Sequence, residues 1–172
     1  TLLEARAVRD GDHYILNGRK WYTTAAEGSV FAIAMMVTNP DAHAAMRASM
    51  FIVPTNTPGF RILRNIPIMG ETGSDYASHA EVVFENCRIP KENLLGREGQ
   101  GFKLAQERLG PGRIHHCMRW LGISARAFEM LCQRANQRKI HGDGGTLGDS
   151  EITQLYVAEL AAELHGARLM TL

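Results

Sequence analysis

The pattern of apolar residues changes near Pro90, and this change constrains the fold more than any other feature of the chain. Before it, short runs of β-branched and aromatic residues alternate with turn residues, which is typical of antiparallel strands. After it, apolar residues recur every three or four positions, which is typical of helices. Strands followed by helices predict two segregated modules, which we place at residues 1–96 and 97–172.

The strand region is predicted to form an antiparallel β-barrel or sandwich, because several short strands follow one another at close spacing. Asp10-Gly11 and Asn17-Gly18 are tight-turn dipeptides, and we expect the second to close a hairpin. The alternation from Glu81 to Glu85 indicates a strand with one exposed face. The predicted strands are His13–Leu16, Arg19–Thr23, Val30–Thr38, Met50–Pro54, Phe60–Ile66 and Ala80–Ile89.

The remainder of the chain predicts long helices. A helical pattern starts at Phe102–Leu109, Gly110-Pro111-Gly112 interrupts it, and Pro111 suits the first position of a new helix. That helix carries two apolar stripes, so we expect burial on more than one side, as in a helix bundle. A further helix should start near Ser150, which is a good N-cap residue. The stripes are Ile114, Cys117, Leu121, Ala125, Phe128, Cys132 and Ala135, and Trp120, Ile123, Ala127 and Met130.

Composition excludes several classes of function. The 19 Lys and Arg residues nearly balance the 18 Asp and Glu residues, which argues against nucleic acid as a default partner. The longest apolar run, Val30 to Val37, is far too short to span a bilayer. The three cysteines lack paired spacing, which indicates reduced thiols, and no residues have the spacing of a metal site. The abrupt ends at Thr1 and Leu172 predict cuts through a longer protein.

Trp21, Tyr22 and Thr23 form the first candidate site. Aromatic rings next to hydroxyl groups suit a flat ligand that has a polar edge. The same residue types are common in strands for packing reasons alone. Residue type therefore leaves both interpretations open.

Two sets of cations form further candidates. Arg138, with Lys139 and His141, follows the long helix, where cations either bind an anion or only complement the helix dipole. Arg113 follows Gly112 just inside the predicted new helix. It either meets an anion at the helix N-terminus or is a solvated charge.

Six segments together resemble the motifs of the acyl-CoA dehydrogenase family, in the family's order and across essentially the whole chain. The most informative is Asp12–Thr23, which resembles the hairpin motif G-Y-x-L-N-G-x-K-x-W-I-T. The others are Phe51–Pro54 with Thr57–Phe60, similar to F-I-V-x-x-x-T-P-G; Met69-Gly70 with Ser74-Asp75, similar to M-G-x-R-x-S-D-T; Val83–Gly96, similar to V-F-E-D-V-x-V-P-x-E-N-L-L-G; Gly99–Lys103; and Arg138–Gly142, similar to R-K-x-F-G.

The resemblance implies a β-barrel-like middle domain followed by part of a four-helix bundle. It implies FAD as the cofactor, with Trp21 and Thr23 at the isoalloxazine ring and Arg138 at the pyrophosphate of a neighbouring subunit's FAD. It also places Gly112 and Arg113 near a bound acyl-CoA. The residues implied for cofactor binding are Trp21, Tyr22, Thr23, Arg138, Ile140, His141 and Gln154.

The activity implied by the resemblance is oxidation of a saturated acyl-CoA to the trans-2-enoyl-CoA, with hydride transfer to FAD. Electrons would pass to an electron-transfer flavoprotein or a similar acceptor, and the subunits would form homodimers or homotetramers. The expected compartment is reducing and intracellular: the mitochondrial matrix, the peroxisome or the bacterial cytoplasm. No nucleic acid or membrane partner is expected.

Departures from the family pattern limit these implications. His141 stands where the family has Phe, and Tyr76 replaces a Thr. The longer loop from Gly142 to Gln154 resembles the branch that contains the tenth and eleventh human members and their bacterial relatives. Gly112 stands where some members carry the catalytic glutamate, so we expect the base beyond Leu172. An acyl-CoA oxidase, a flavin monooxygenase of the same fold and a non-catalytic scaffold remain open alternatives.

Overall fold

The computed structural model describes residues 3–140 and 145–172, and it divides into two compact units, one ending at Glu107 and one starting at Arg108. The first unit is built on a seven-stranded sheet in the order β5-β6-β2-β1-β3-β4-β7. Neighbouring strands in the described ranges are antiparallel except for β1 and β3. The strands are β1 (Arg6–Asp10), β2 (His13–Thr24), β3 (Phe31–Val37), β4 (Ala48–Pro54), β5 (Phe60–Asn65), β6 (His79–Pro90) and β7 (Leu94–Leu95).

The sheet curves strongly around a single core. In a flat sheet β2 and β4 would be three strand spacings apart, about 14 Å, yet the rings of Tyr14 and Phe51 have centroids 4.8 Å apart. The expectation of an antiparallel β architecture followed by long helices is therefore confirmed. The largest apolar side chains of the core are Tyr14, Leu16, Met36, Phe51, Val53, Phe60, Val82, Phe84 and Ile89.

The prediction of a hairpin at Asn17-Gly18 is wrong. β2 runs through this dipeptide, and the first hairpin turns at Gly11-Asp12. Gly18 instead lies opposite an irregularity in the pairing of β2 with β6 and has a φ of 141°. A Cβ at this position would lie 2.5 Å from the Cβ of Ala5. The glycine thus permits close approach of another segment and does not form a turn.

The second unit contains most of α1 (Gly101–Gln137) and all of α2 (Glu151–Thr171). The predicted interruption at Gly110-Pro111-Gly112 is wrong, because α1 continues through Pro111. Proline removes one backbone N–H from the helical ladder, but the remaining hydrogen bonds of a 37-residue helix carry it across that gap. Gly112 and Arg113 consequently lie inside a helix and not at its first turn.

The apolar stripes of α1 are only partly covered by this chain. Trp120, Ile123 and Met130 remain 64%, 53% and 59% exposed. Among the described residues after Glu107, Ala135 is the one buried apolar residue. The expectation that the helix is buried on more than one side is therefore not met within the chain. None of the helices in the described ranges has the length and apolar character needed to cross a bilayer.

Candidate functional site

The end of β2 presents an exposed aromatic pair. The rings of Trp21 and Tyr22 are 6.0 Å apart between centroids and nearly perpendicular, at 73°. Their exposed fractions are 58% and 53%, whereas Tyr14 on the same strand is 3% exposed. The pair therefore offers ring surface to a ligand and not to the core.

A β-bulge accounts for the exposure of both rings. In a regular strand, successive side chains point to opposite faces. Here the pairing with β6 shifts between Lys20–Val82 and Thr23–Ala80, so that β2 has one extra residue. Tyr22 lies in the extra stretch with a φ of 53°, which is rare for a bulky side chain. Bulges redirect side chains and are common next to active sites, so the strained backbone marks this strand end as a candidate site.

Hydroxyl groups lie next to the aromatic pair. Thr23 is half-buried, and the Oγ1 of Thr24 is 3.0 Å from the Nδ1 of His79 on the neighbouring strand. Counted letter by letter from Asn17, the family's hairpin motif places its tryptophan at Tyr22 and its last threonine at Thr24. Thr24, which the sequence analysis does not name, is thus a further candidate, and the spacing of the motif from Asn17 is the signal that points to it.

A buried carboxylate, that of Glu81, lies beside the pair with 1% of its side chain exposed. The Nε of Arg64 donates a hydrogen bond of 2.7 Å to Oε2, and the Nε of Arg19 lies 2.6 Å from Oε1. The pKa of Glu81 is held below its usual range, chiefly by the hydrogen bond from Arg64, with smaller contributions from the charge of Arg19 and from the Trp21 indole. The alternation of β6 suggested exposure for Glu81, but arginines from two other strands cover it.

Arg138 and Ile140 lie in a loop that folds back on itself after α1. The backbone N–H of Arg138 donates to Arg134 O at 2.9 Å, and Arg138 O accepts from Leu147 N at 2.7 Å. The N–H of Ile140 donates to Gly145 O at 3.1 Å. The backbone is thereby fixed while both side chains are exposed. His141, predicted in the same group, lies outside the described residues.

Gln154 lies in the first turn of α2, directly after the same loop. Its Nε2 donates to Gly148 O at 3.0 Å, so one N–H of the side-chain amide is hydrogen-bonded within the chain. Gly148 packs closely against α1, because a Cβ there would lie 2.8 Å from the Oδ1 of Asn136. The structure thus brings Arg138, Ile140 and Gln154 together around one loop.

Gly112 and Arg113 do not join that loop. At about 1.5 Å per residue, Arg113 and Arg138 are about 37 Å apart along the helix, so they cannot bind the same phosphate. Both lie in the second unit, whereas Trp21, Tyr22 and Thr23 lie in the first. In the part of the chain that the structure describes, no three His, Cys, Asp or Glu side chains are grouped as metal ligands.

Comparisons with known proteins agree on one family. The model of the acyl-CoA dehydrogenase middle domain matches residues 1–87, and that of the acyl-CoA dehydrogenase C-terminal domain matches residues 99–172. A probable acyl-CoA dehydrogenase of Mycobacterium tuberculosis is 42% identical over 98% of this chain and 41% of its own length. Acyl-CoA dehydrogenase family member 11 of Homo sapiens is 38% identical over 100% of this chain and 22% of its own length.

Solved structures give the same result. A putative acyl-CoA dehydrogenase from Mycobacterium abscessus is 36% identical with a TM-score of 0.76, over 98% of this chain and 41% of its own. A structure of PigA with FAD and proline is 26% identical with a TM-score of 0.81, over 98% of this chain and 43% of its own. The chain therefore spans less than half the length of these relatives. The predicted resemblance to the eleventh human member and bacterial relatives is confirmed, and the chain belongs to the acyl-CoA dehydrogenase family.

Proposed function

We propose that this chain is part of an FAD-dependent dehydrogenase that oxidises a saturated acyl-CoA thioester to the trans-2-enoyl-CoA. The observation that carries the proposal is the exposed Trp21–Tyr22 pair on a bulged strand, in a chain of the acyl-CoA dehydrogenase family. Relatives are more than twice as long as this chain, so the reaction is proposed for the whole protein.

The residues at the end of β2 fit a flavin ring. Trp21 and Tyr22 provide accessible aromatic surface, and Thr23 and Thr24 provide hydroxyl groups for the polar edge of the ring. These groups would hold the ring in one orientation, because their strand is fixed by pairing with β6. When bound, FAD would supply the acceptor for the hydride that leaves the acyl β-carbon.

The loop after α1 fits the phosphate part of an FAD that is bound by a neighbouring subunit. The Arg138 side chain is exposed and its backbone is held on both sides, so its guanidinium can reach a pyrophosphate from a fixed point of the chain and bind it bidentately. Gln154 donates one N–H of its Nε2 to Gly148 O, and the second N–H of the same group can donate to a phosphate oxygen. Ile140 and His141 complete the proposed set, with Ile140 supplying an apolar contact.

Gly112 and Arg113 are proposed to contact the acyl-CoA. Since they lie inside a helix, their backbone N–H groups are not the free donors of a first turn, so the contact must come from the Arg113 side chain. Gly112 has no side chain that can remove the α-proton. We therefore assign the catalytic base to a carboxylate outside these 172 residues.

The proposal extends to the protein's partners and organisation. An electron-transfer flavoprotein or a similar acceptor would reoxidise the flavin, and homodimers or homotetramers would bring Arg138 to a neighbouring subunit's cofactor. The exposed apolar side chains of α1 support assembly with a covering surface. We propose a reducing intracellular compartment and a domain boundary near residue 96.

The assignment of Arg138 is tested in the full-length protein. Arg138→Ala should raise the Kd for FAD roughly tenfold to a hundredfold, because a charge-assisted hydrogen bond to phosphate contributes about that factor to affinity. Arg134→Ala is the matched control, because it removes a cation one helical turn earlier. Equal FAD retention by the two variants after dialysis would refute the assignment.

The location of the base is tested by comparing lengths of chain. The 172-residue chain alone, given FAD, a series of acyl-CoA substrates and an artificial electron acceptor, should show no turnover and should lose FAD on gel filtration. The full-length protein should oxidise acyl-CoA substrates. Replacing the catalytic glutamate that we place after Leu172 by glutamine should abolish this activity. Turnover by the short chain would overturn the assignment.

A second candidate is a flavoenzyme of this fold that reacts with oxygen or takes another substrate. The similarity to the structure of PigA with FAD and proline supports this second candidate, because that structure contains FAD with a ligand other than an acyl-CoA. Oxygen uptake by the substrate-reduced full-length protein, compared with electron transfer to an electron-transfer flavoprotein, separates the two. A non-catalytic scaffold would show neither.

A further inference from the structure

The cluster of Glu81, Arg19 and Arg64 contains a carboxylate that is buried far more deeply than pairing requires. Arg61 and Glu85 form a comparable ion pair, and Glu85 is on the same strand as Glu81. In that pair Arg61 Nη2 donates to both carboxylate oxygens of Glu85 at 2.8 Å, although the two side chains are 57% and 55% exposed. Burial of a carboxylate is costly, so the 1% exposure of Glu81 calls for a reason other than charge pairing.

The hydrogen bonding of Glu81 is also incomplete. Oε2 accepts a well-directed bond from Arg64, but Oε1 receives no well-directed hydrogen bond among the described residues, despite the 2.6 Å approach of the Arg19 Nε. A buried polar atom that lacks such a bond is uncommon and calls for an explanation.

The cluster reaches the aromatic pair through Arg64. The Cζ of Arg64 lies 6.0 Å from the centroid of the Trp21 ring, within the range of a cation–π contact. Since Trp21 packs edge-on against Tyr22, whatever fixes the first ring also orients the second.

We propose that Glu81 is a positioning residue: together with Arg64, it fixes the Trp21 ring, and through it Tyr22, in the orientation that receives the flavin. This inference rests on the proposed function. It explains the buried carboxylate, because an anion shielded from water holds Arg64 over the ring more firmly than an exposed one. It also explains how two rings on a strained bulge keep one orientation while more than half exposed.

The test labels the full-length protein with 5-fluorotryptophan and follows the fluorine resonance of Trp21, assigned by its loss in Trp21→Phe. In the flavin-free protein, Glu81→Gln should shift and broaden this resonance and leave that of Trp120 in place. Glu85→Gln is the matched control and should leave both unchanged. Arg64→Lys keeps the positive charge but removes the planar guanidinium from the ring, so it should also shift the Trp21 resonance. It serves as the deciding variant if Glu81→Gln does not fold.

Flavin binding then connects the cluster to function. The Kd of the flavin-free protein for FAD should rise roughly fivefold to tenfold in Glu81→Gln and stay within about twofold in Glu85→Gln. A Trp21 resonance that stays in place in the folded variants, or equal losses of FAD affinity in Glu81→Gln and Glu85→Gln, would overturn the positioning role. Failure of the wild-type protein to bind FAD at all would instead overturn the proposed function.

Discussion

The sheet and the helices treat their apolar residues in opposite ways. In the sheet, Leu16, Phe51 and Val53 are fully buried, because the curved strands cover one another. In the second unit, α1 and α2 carry comparable apolar stripes, yet two open cavities of about 330 and 810 Å³ lie between them. An apolar stripe therefore predicts that a face needs covering, but it does not identify what covers it.

The same contrast applies to the candidate site residues. Trp21 and Tyr22 are held by a strand, a bulge and a buried ion cluster, all within the first unit. Arg138 and Gln154 are held by backbone and side-chain hydrogen bonds of one exposed loop. We therefore expect the aromatic site to depend on the sheet core and the arginine site to depend only on local contacts.

The largest expected effect tests whether stability resides in the sheet. Phe51→Ala should lower the free energy of unfolding by about 3–5 kcal/mol, because it leaves a cavity in a closed core. Trp120→Ala removes an even larger side chain but should change it by less than about 1 kcal/mol, since that ring is already 64% exposed. Urea denaturation of both variants measures the difference. Similar losses would show that the two regions are equally closed.

A glycine substitution should change stability in opposite directions in the two regions. Gly18→Ala should destabilise by about 1–3 kcal/mol, because its φ is 141° and the new Cβ would meet Ala5. Gly122→Ala in α1 should stabilise by about 0.5–1 kcal/mol, the ordinary gain for alanine in a helix. Among the described residues, no heavy atom apart from the adjacent residues and the nearby backbone of α1 itself lies within 4 Å of that Cβ position.

Thermal unfolding of the two glycine variants measures both signs. A stabilising Gly18→Ala would show that β2 does not hold the glycine in its positive φ. A destabilising Gly122→Ala would show that another surface already packs closely on α1.

Local periodicity predicted the types and the order of the helices and strands. It failed at positions whose conformation is set by residues that are distant in the sequence. The strands Phe60–Ile66 and Ala80–Ile89 were located to within one residue. Asn17-Gly18 has the composition of a turn, but its conformation is set by Ala5 and β6, which no local pattern reveals. Pro111 is a helix breaker by propensity, and the long helix around it overrides that preference.

The candidate site was predictable by residue type but not by geometry. Aromatic and hydroxyl residues drew attention to the end of β2, whereas the bulge and the positive φ of Tyr22 arise from pairing with a strand about sixty residues away. Glu81 followed the alternation of an exposed position, and its burial depends on Arg19 and Arg64 from two other strands. Roles for Arg138 and Gln154 came only from the family resemblance and stay predictions.

The last expected effect depends on pH and concerns Lys20, a cation at the edge of the sheet core. Lys20 lies opposite Val82 on the neighbouring strand, and Val82 is 1% exposed. Among the described residues, the side-chain ammonium of Lys20 has no hydrogen-bond or ion-pair partner. Burial lowers the pKa of Lys20 from 10.5 to about 8. Lys139, in the exposed loop after α1, provides the matched comparison in the other region.

Replacing Lys20 by Met should stabilise the protein at neutral pH and progressively less at higher pH. Below about pH 8 the lysine is charged in both states, so the folded state bears the full cost of its burial. Between about pH 8 and 10.5 the unfolded state binds more protons than the folded state, and wild-type stability rises with pH relative to the variant. With a discount for partial exposure, the gain at pH 7 should be about 1–2 kcal/mol, and it should vanish above about pH 10.5.

Urea midpoints of wild type, Lys20→Met and Lys139→Met at pH 7, 9 and 10.5 measure this difference in stability. If the difference in unfolding free energy between Lys20→Met and wild type stays constant across this pH range, or if Lys139→Met gains as much, the Lys20 ammonium is paired or hydrated in the folded protein. The buried core of the sheet would then not include Lys20.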